Sequence, residues 1–171
     1  MTNDQYFEAT LKPTVSFMSW CALLPFIVCT VLTWFPILSM DVFKVNGQIL
    51  EIDVLNILRL YSVIIVSFIA GSIWSAALMI KLDKETFVFN RKALMFGAGF
   101  VAILSWLVIF INPEAGVFIA ALLYLVLWQI ELKTNLSRIY PEWFWTLRTK
   151  QTMLIVVCLI GVWMTLGEAA V

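Results

Sequence analysis

Five long apolar segments constrain this chain more than any motif does. They lie near residues 14–38, 55–80, 92–111, 113–132 and 150–166. A helix needs about 20 apolar residues to cross the hydrocarbon core of a bilayer, and each segment has or approaches that length. Only 13% of the residues are charged, against roughly 25% in soluble domains. The sequence therefore predicts an all-α integral membrane protein, a bundle of five transmembrane helices forming a single domain over residues 1–171.

Lysine and arginine are divided unequally between the two sides of such a bundle. Nine fall on the side of the N-terminus, and only Lys44 and Arg59 fall on the other. Short loops rich in these residues stay in the cytoplasm, and tryptophan is enriched at both membrane boundaries. The eight tryptophans occupy both ends of the predicted helices. We therefore expect a multi-pass membrane protein whose N-terminus lies in the cytoplasm, or in the matrix of a mitochondrion, and whose C-terminus lies outside.

The first outer loop contains a turn signal. Asn46 and Gly47 separate two partly alternating runs, 41–45 and 48–52, and Asn-Gly is a strong signal for a two-residue β-hairpin. An isolated hairpin is only marginally stable in water. The loop is therefore expected to form either a small β-hairpin supported by the membrane surface or a partner, or an irregular loop.

Small residues recur every four positions on the second predicted helix, at Ser67, Gly71 and Ser75. Such a stripe lets two helix backbones approach closely. We favour packing inside the bundle, because the pairs Ala93–Gly97 and Gly116–Ala120 repeat the spacing on the next two helices. The alternative is a dimer seam, or a groove for a lipid- or quinone-sized molecule.

Pro25 lies near the middle of the first predicted helix. Proline lacks a backbone N–H, so it frees the carbonyl of Cys21 and predicts a kink near the bilayer midplane. Transport coupled to protons or ions usually needs an ionisable residue deep in a span. The nearest candidates, Arg59 and Glu131, lie close to helix ends.

Aromatic and basic residues crowd together just before the fifth predicted helix, in YPEWFWTLRTKQT (140–152). The fourth helix ends near Glu131 on the same side, so Arg148 can meet it there. A guanidinium can bind a carboxylate through two parallel hydrogen bonds and also stack on an indole. We predict a clamp between Glu131 and Arg148, with Pro141 and Trp143 fixing the path of the loop. The alternative is that Arg148 contacts only lipid phosphate.

Three blocks carry a family resemblance: WCALLPFIV (20–28), YSVIIVSFIAGSIWSAAL (61–78) and the 140–152 stretch. Together they resemble the uncharacterised membrane domain family 3429, found in bacterial inner membranes and, as transmembrane protein 69, in mitochondria. The positions that match its pattern are Tyr61, Ser67, Phe68, Gly71, Trp74, Pro141, Trp143, Leu147 and Arg148.

The chain also departs from that pattern. Ala70 and Ser75 stand where glycine is usual, Ile73 stands where histidine can occur, and Glu131 stands where aspartate is usual. Histidine chemistry proposed for relatives could therefore not operate here. The family has no assigned reaction, so the resemblance implies a fold and a location only.

Catalytic, cofactor and metal sites are not expected. The chain has no histidine, its three cysteines lie in apolar runs, and it lacks nucleophile–base pairs and phosphate-binding loops. We expect a non-enzymatic bundle that stabilises another membrane complex; its partners are the bilayer and another membrane protein or a second copy, not nucleic acid. The alternative is a small carrier or binder of a lipid-like or quinone-like molecule, in a groove lined by Ser67, Ser72 and Cys21.

Overall fold

The computed structural model describes residues 3–35, 44–45, 48–49, 53–79, 91–134, 136 and 140–169, and side chains within 11–35, 53–79, 91–134, 136 and 140–165. Within these ranges the helices are α1 Asn3–Cys21, α2 Leu24–Trp34, α3 Val54–Met79, α4 Arg91–Leu107, α5 Pro113–Lys133 and α6 Glu142–Ala169. Five stretches are long and apolar enough to cross a membrane: Leu11–Trp34, Val54–Met79, Arg91–Phe110, Pro113–Lys133 and Glu142–Thr165. The prediction of five membrane-capable helices is confirmed.

The turn between the third and fourth spans follows from its sequence. A single 3₁₀ turn, Val108–Phe110, continues α4, and α5 begins only three residues later at Pro113. The side chain of Asn112 caps α5 by accepting a hydrogen bond from the backbone N–H of Ala115 at 2.9 Å. Glu114 lies in the first turn, where a carboxylate meets the positive end of the helix dipole. The third and fourth spans therefore form a tight helical hairpin.

The first span is broken rather than continuous. α1 ends at Cys21, and α2 begins at Leu24 with Pro25 in its first turn, where a missing N–H costs nothing. The hydroxyl of Tyr61 on α3 donates to the carbonyl of Ala22, at a distance of 2.9 Å. The predicted kink is confirmed as a two-residue break, held by a hydrogen bond from another helix.

The fifth helix begins earlier than predicted. Its first residue is Glu142, eight positions before the expected start at 150. The carbonyl of Pro141 accepts hydrogen bonds from the N–H groups of Phe144 and Trp145. The prediction failed because hydropathy marks the apolar part of a helix, whereas backbone hydrogen bonding continues through the aromatic and charged turns before it. The aromatic cluster therefore lies in the helix, not in the connection leading to it.

Aromatic rings join three helices at the centre of the bundle. Phe26 on α2 is fully buried and meets Tyr61 of α3 edge-on, with ring centroids 5.1 Å apart, and Tyr124 of α5 at 6.1 Å. The remaining core is aliphatic and includes Leu58, Val66, Ile73, Leu94, Leu127 and Leu159, each at most 1% exposed. α3 packs against α2, α4 and α5, and α6 packs against α2 and α5.

The small-residue prediction is wrong for part of the second span. A Cβ added at Gly71 meets no atom of the described residues within 4 Å, and Ser75 is exposed. Ser67 does face a neighbour, with its hydroxyl 3.0 Å from that of Ser105. At 3.6 residues per turn, positions eight apart differ by about 80° around the helix, so the stripe rotates away from α4. Close approach occurs instead at Gly116, where an added Cβ would lie 2.6 Å from Arg59.

The connection between the first and second spans contains a short ladder. Lys44–Val45 pairs antiparallel with Gln48–Ile49, with Lys44 opposite Ile49 and Val45 opposite Gln48. The other residues of the expected ribbon, 41–43, 46–47 and 50–52, lie outside the described residues. A hairpin spanning 41–52 therefore stays a prediction.

Candidate functional site

Glu131 and Arg148 form an ion pair at one end of the bundle, called here the Glu131 end. The Nε of Arg148 donates a hydrogen bond to Oε2 of Glu131 across 2.7 Å. The side chain of Glu131 is 1% exposed and that of Arg148 is 14% exposed. The predicted contact is confirmed, and it joins the last turn of α5 to the second turn of α6.

The geometry of the pair differs from the prediction. Oε1 of Glu131 and Nη2 of Arg148 are buried and have no hydrogen-bond partner among the described residues, so the contact is single, not bidentate. Nor does Arg148 supply the cation over an indole. Lys12 does, with its Nζ 6.0 Å from the ring of Trp143. Trp143 lies five residues before Arg148 and faces α1 at this end.

Tyr140, in the connection before α6, lies near the pair. Tyr140 meets Phe144 edge-on with ring centroids 5.1 Å apart, and exposed Pro141 directly precedes α6. Burial raises the pKa of Tyr140 to about 12, the negative charge of Glu131 adds to that rise, and Arg148 opposes it. The phenol is therefore neutral at physiological pH.

A partly open pocket of about 320 Å³ lies between the first, second and fifth spans. Its walls are mostly apolar, and three of its residues, Leu23, Ile65 and Ile155, lie near the middle of their spans. The other lining residues are Val15, Ser19, Ala22, Phe68, Ile69, Ser72, Phe144, Arg148, Gln151 and Thr152. The pocket therefore extends from the ion pair toward the centre of the bundle.

The break in the first span forms part of the pocket wall. Ala22 is one of the two residues between α1 and α2, and Leu23 is the other. In an uninterrupted helix, successive side chains at this position would point 100° apart around the axis. Pro25 and the hydrogen bond from Tyr61 fix the interrupted path, so they shape the pocket without lining it.

Two polar side chains of α6 reach this pocket with unused hydrogen-bonding capacity. Arg148 and Gln151 both line it, and Nη2 of the former and Nε2 of the latter lack a partner in the described chain. A buried donor without an acceptor costs roughly 1–3 kcal/mol. The two positions are three residues apart, which places them on one face of the helix.

The predicted groove and this pocket overlap only in part. Ser72 lines the pocket, whereas the hydroxyl of Ser67 faces Ser105 on α4 and Cys21 is exposed outside the lining. Composition does not predict a role for Gln151, because it does not distinguish this residue from any other polar residue near a membrane boundary. Its spacing from Arg148 on one helix face was the available signal.

Trp74 lies away from this site. It is 44% exposed and, with Lys92, Met95 and Phe96, borders a shallower space of about 390 Å³ beside α4. In the side chains that the structure describes, no group of three or more Cys, Asp or Glu is placed to hold a metal ion.

Arg59 is a buried cation at the opposite end of the bundle. The sequence predicted only that this residue lies near a helix end. Arg59 is 8% exposed; its Nη2 donates to Oδ1 of Asn56 at 2.6 Å, and its Nη1 donates to the backbone carbonyl of Ile111. Its aliphatic stem lies against Gly116. Arg59 thus joins α3 to the turn between α4 and α5.

Comparison with known proteins agrees with the motif resemblance. Residues 11–164 match the family described as protein of unknown function (DUF3429). No curated protein and no solved structure matches the chain. The match spans all five membrane-capable helices and includes both the ion pair and the pocket, so this chain belongs to the DUF3429 family.

Proposed function

We propose that the protein is a non-enzymatic membrane bundle that binds one lipid-like molecule in the pocket between the first, second and fifth spans. The observation that supports this proposal is the pocket itself, which combines mostly apolar walls with polar side chains that include Arg148 and Gln151. Ligand sites commonly have roughly 300–1,000 Å³ of space, apolar walls and a few polar groups that orient the ligand.

The shape of the pocket favours a molecule with a polar head and an apolar tail. From Phe144 to Ile155 the lining follows twelve residues of α6, about 16 Å of helix. The tail lies against Leu23, Ile65 and Ile155, and the head lies beside Arg148. A wholly polar molecule would leave these apolar walls without a complementary surface.

The distribution of lysine and arginine supports an orientation for this site. We place the N-terminus and the Glu131 end in the cytoplasm of the bacterial inner membrane, because nine of eleven cations fall on that side. Reporter fusions after Asp83 and Arg138 should then indicate the cytoplasm, and one after Glu168 the outer side. The reverse pattern would invert the proposed topology.

The binding proposal is tested by filling the pocket from one position. Ser72 and Ser75 are both exposed on α3, but only Ser72 lines the pocket. After extraction in mild detergent, native mass spectrometry of the wild type should detect a bound apolar molecule. Ser72→Phe should lose that molecule and Ser75→Phe should retain it. Equal retention in both variants would place the ligand elsewhere.

Stabilisation of another membrane complex is the competing function. It predicts a protein partner that is captured by the wild type and equally by Ser72→Phe, because the pocket is not needed for that contact. A pull-down in the same detergent, followed by mass spectrometry, distinguishes the two functions. Capture of a defined complex without any bound small molecule would favour the accessory function.

A further inference from the structure

We propose that the ligand carries an uncharged head with hydrogen-bond-accepting oxygens, of the ester or quinone carbonyl type, held by Arg148 and Gln151. This inference rests on the proposed function and specifies the chemistry of the molecule in the same pocket. It follows from the hydrogen-bonding capacity and the charges of the polar atoms at the Glu131 end.

The head must supply hydrogen-bond acceptors, because two N–H donors of residues that line the pocket lack them. Nη2 of Arg148 and Nε2 of Gln151 are N–H donors without acceptors in the described chain. Both side chains line the pocket and lie on one face of α6. Both atoms are themselves buried behind the pocket surface, so each side chain must rotate to turn its N–H toward the pocket. A carbonyl oxygen there accepts hydrogen bonds and donates none, so it can satisfy both donors.

Charge decides between a neutral and an anionic head. Arg148 is the one charged residue among the described side chains that line the pocket, and Glu131 already pairs with it at 2.7 Å. The carboxylate of Glu131 is 1% exposed and has one oxygen without a partner. A second anion beside it would be repelled and would leave a net buried charge, which is costly in a poorly solvated site. An uncharged carbonyl avoids both penalties.

The fixed position of Arg148 makes the site selective. Its Nε is committed to Glu131, so the guanidinium cannot turn freely to follow an incoming anion. The planar group instead presents its remaining N–H groups in a set direction, a property that lysine lacks. Gln151 adds a neutral donor three residues further into the span.

A matched pair of probes tests the inference: methyl dodecanoate and dodecanoate, which share one alkyl chain and differ in head charge. The protein is held in nanodiscs at an alkaline pH that ionises the acid, and binding of each probe is measured by native mass spectrometry. We expect the ester to bind at least tenfold more tightly. Gln151→Leu should weaken ester binding about fivefold, which corresponds to one hydrogen bond of about 1 kcal/mol.

Controls separate this inference from the proposed function. Gln129→Leu changes an exposed glutamine on α5 outside the pocket and should leave ester binding unchanged. Gln151→Leu removes an unsatisfied buried donor, so it should fold in normal yield. Equal or tighter binding of dodecanoate would overturn the neutral head while preserving the pocket function. Binding of neither probe, or unchanged ester binding in Ser72→Phe, would overturn the pocket function itself.

Discussion

Glu131 and Arg148 are seventeen positions apart in the chain, yet one hydrogen bond of 2.7 Å joins them in the interior of one end of the bundle. The contact ties the end of α5 to the start of α6. Because Glu131 is 1% exposed, it has almost no access to water if its partner is removed. The pair therefore contributes to the stability of this end in a way that a surface ion pair does not.

Arg148→Lys and Glu131→Gln should each lower the stability of the protein in detergent, by about 1–3 kcal/mol. Lysine keeps the charge but loses the planar group that donates to Oε2, and glutamine removes the charge that opposes the cation. Thermal unfolding of both variants and of the double variant gives the coupling energy. We expect the double variant to be no worse than the worse single variant, whereas fully additive losses would mean that the pair is energetically independent.

Gly116→Ala should destabilise the opposite end. The new Cβ would lie 2.6 Å from Cδ and 3.1 Å from Cγ of Arg59. That side chain has little room to move, because its guanidinium is bonded to Asn56 and Ile111. We expect a loss of about 1–3 kcal/mol, as for other overpacked sites.

Gly99→Ala provides the control for this glycine, because an added Cβ there meets no described atom within 4 Å. Its melting temperature in detergent should equal or exceed that of the wild type, since alanine favours helix over glycine by about 1 kcal/mol. Equal losses in both variants would indicate a general effect of glycine replacement rather than a clash with Arg59.

Gly71→Leu should be tolerated, contrary to the expectation from the small-residue stripe. The position is open to the surroundings of the bundle, so folded yield and melting temperature should match those of the wild type, with the free energy of unfolding changed by less than about 0.5 kcal/mol. Gly97→Leu is the comparison, because a Cβ there already lies 3.2 Å from Ile130 and the larger side chain should lower the yield. A large loss at Gly71 alone would indicate that another molecule packs against it.

Tyr140 should make the protein less stable at high pH. Its pKa is raised to about 12 in the folded protein, whereas it is near 10 in an unfolded chain. Between these values the unfolded chain has lost the phenolic proton and the folded chain retains it, so stability falls as pH rises through this range. Tyr140→Phe should show a smaller loss of stability between pH 10 and 12, measured by chemical unfolding in detergent. An identical pH profile in the variant would assign the loss to other groups.

The sequence by itself determined the class of protein and most of its helices. Long apolar runs have few alternatives to membrane helices, because every backbone polar group must be satisfied without water. Local chemistry was equally decisive at Asn112 and Pro113, whose capping roles depend only on neighbours in the chain. Pro25 also interrupted its helix as expected, because a missing N–H acts wherever the helix lies.

Tertiary structure alone decided which side chains share a site. The contact between Glu131 and Arg148 could be anticipated because both lie at the same end of adjacent helices. Its single hydrogen bond depends on side-chain geometry, as does the placement of Lys12 instead of Arg148 over Trp143. The pocket requires three spans and the break at Ala22. Packing also decides that Gly71 faces away from the neighbouring helices. Periodicity places residues on a face of a helix, but only packing determines what that face meets.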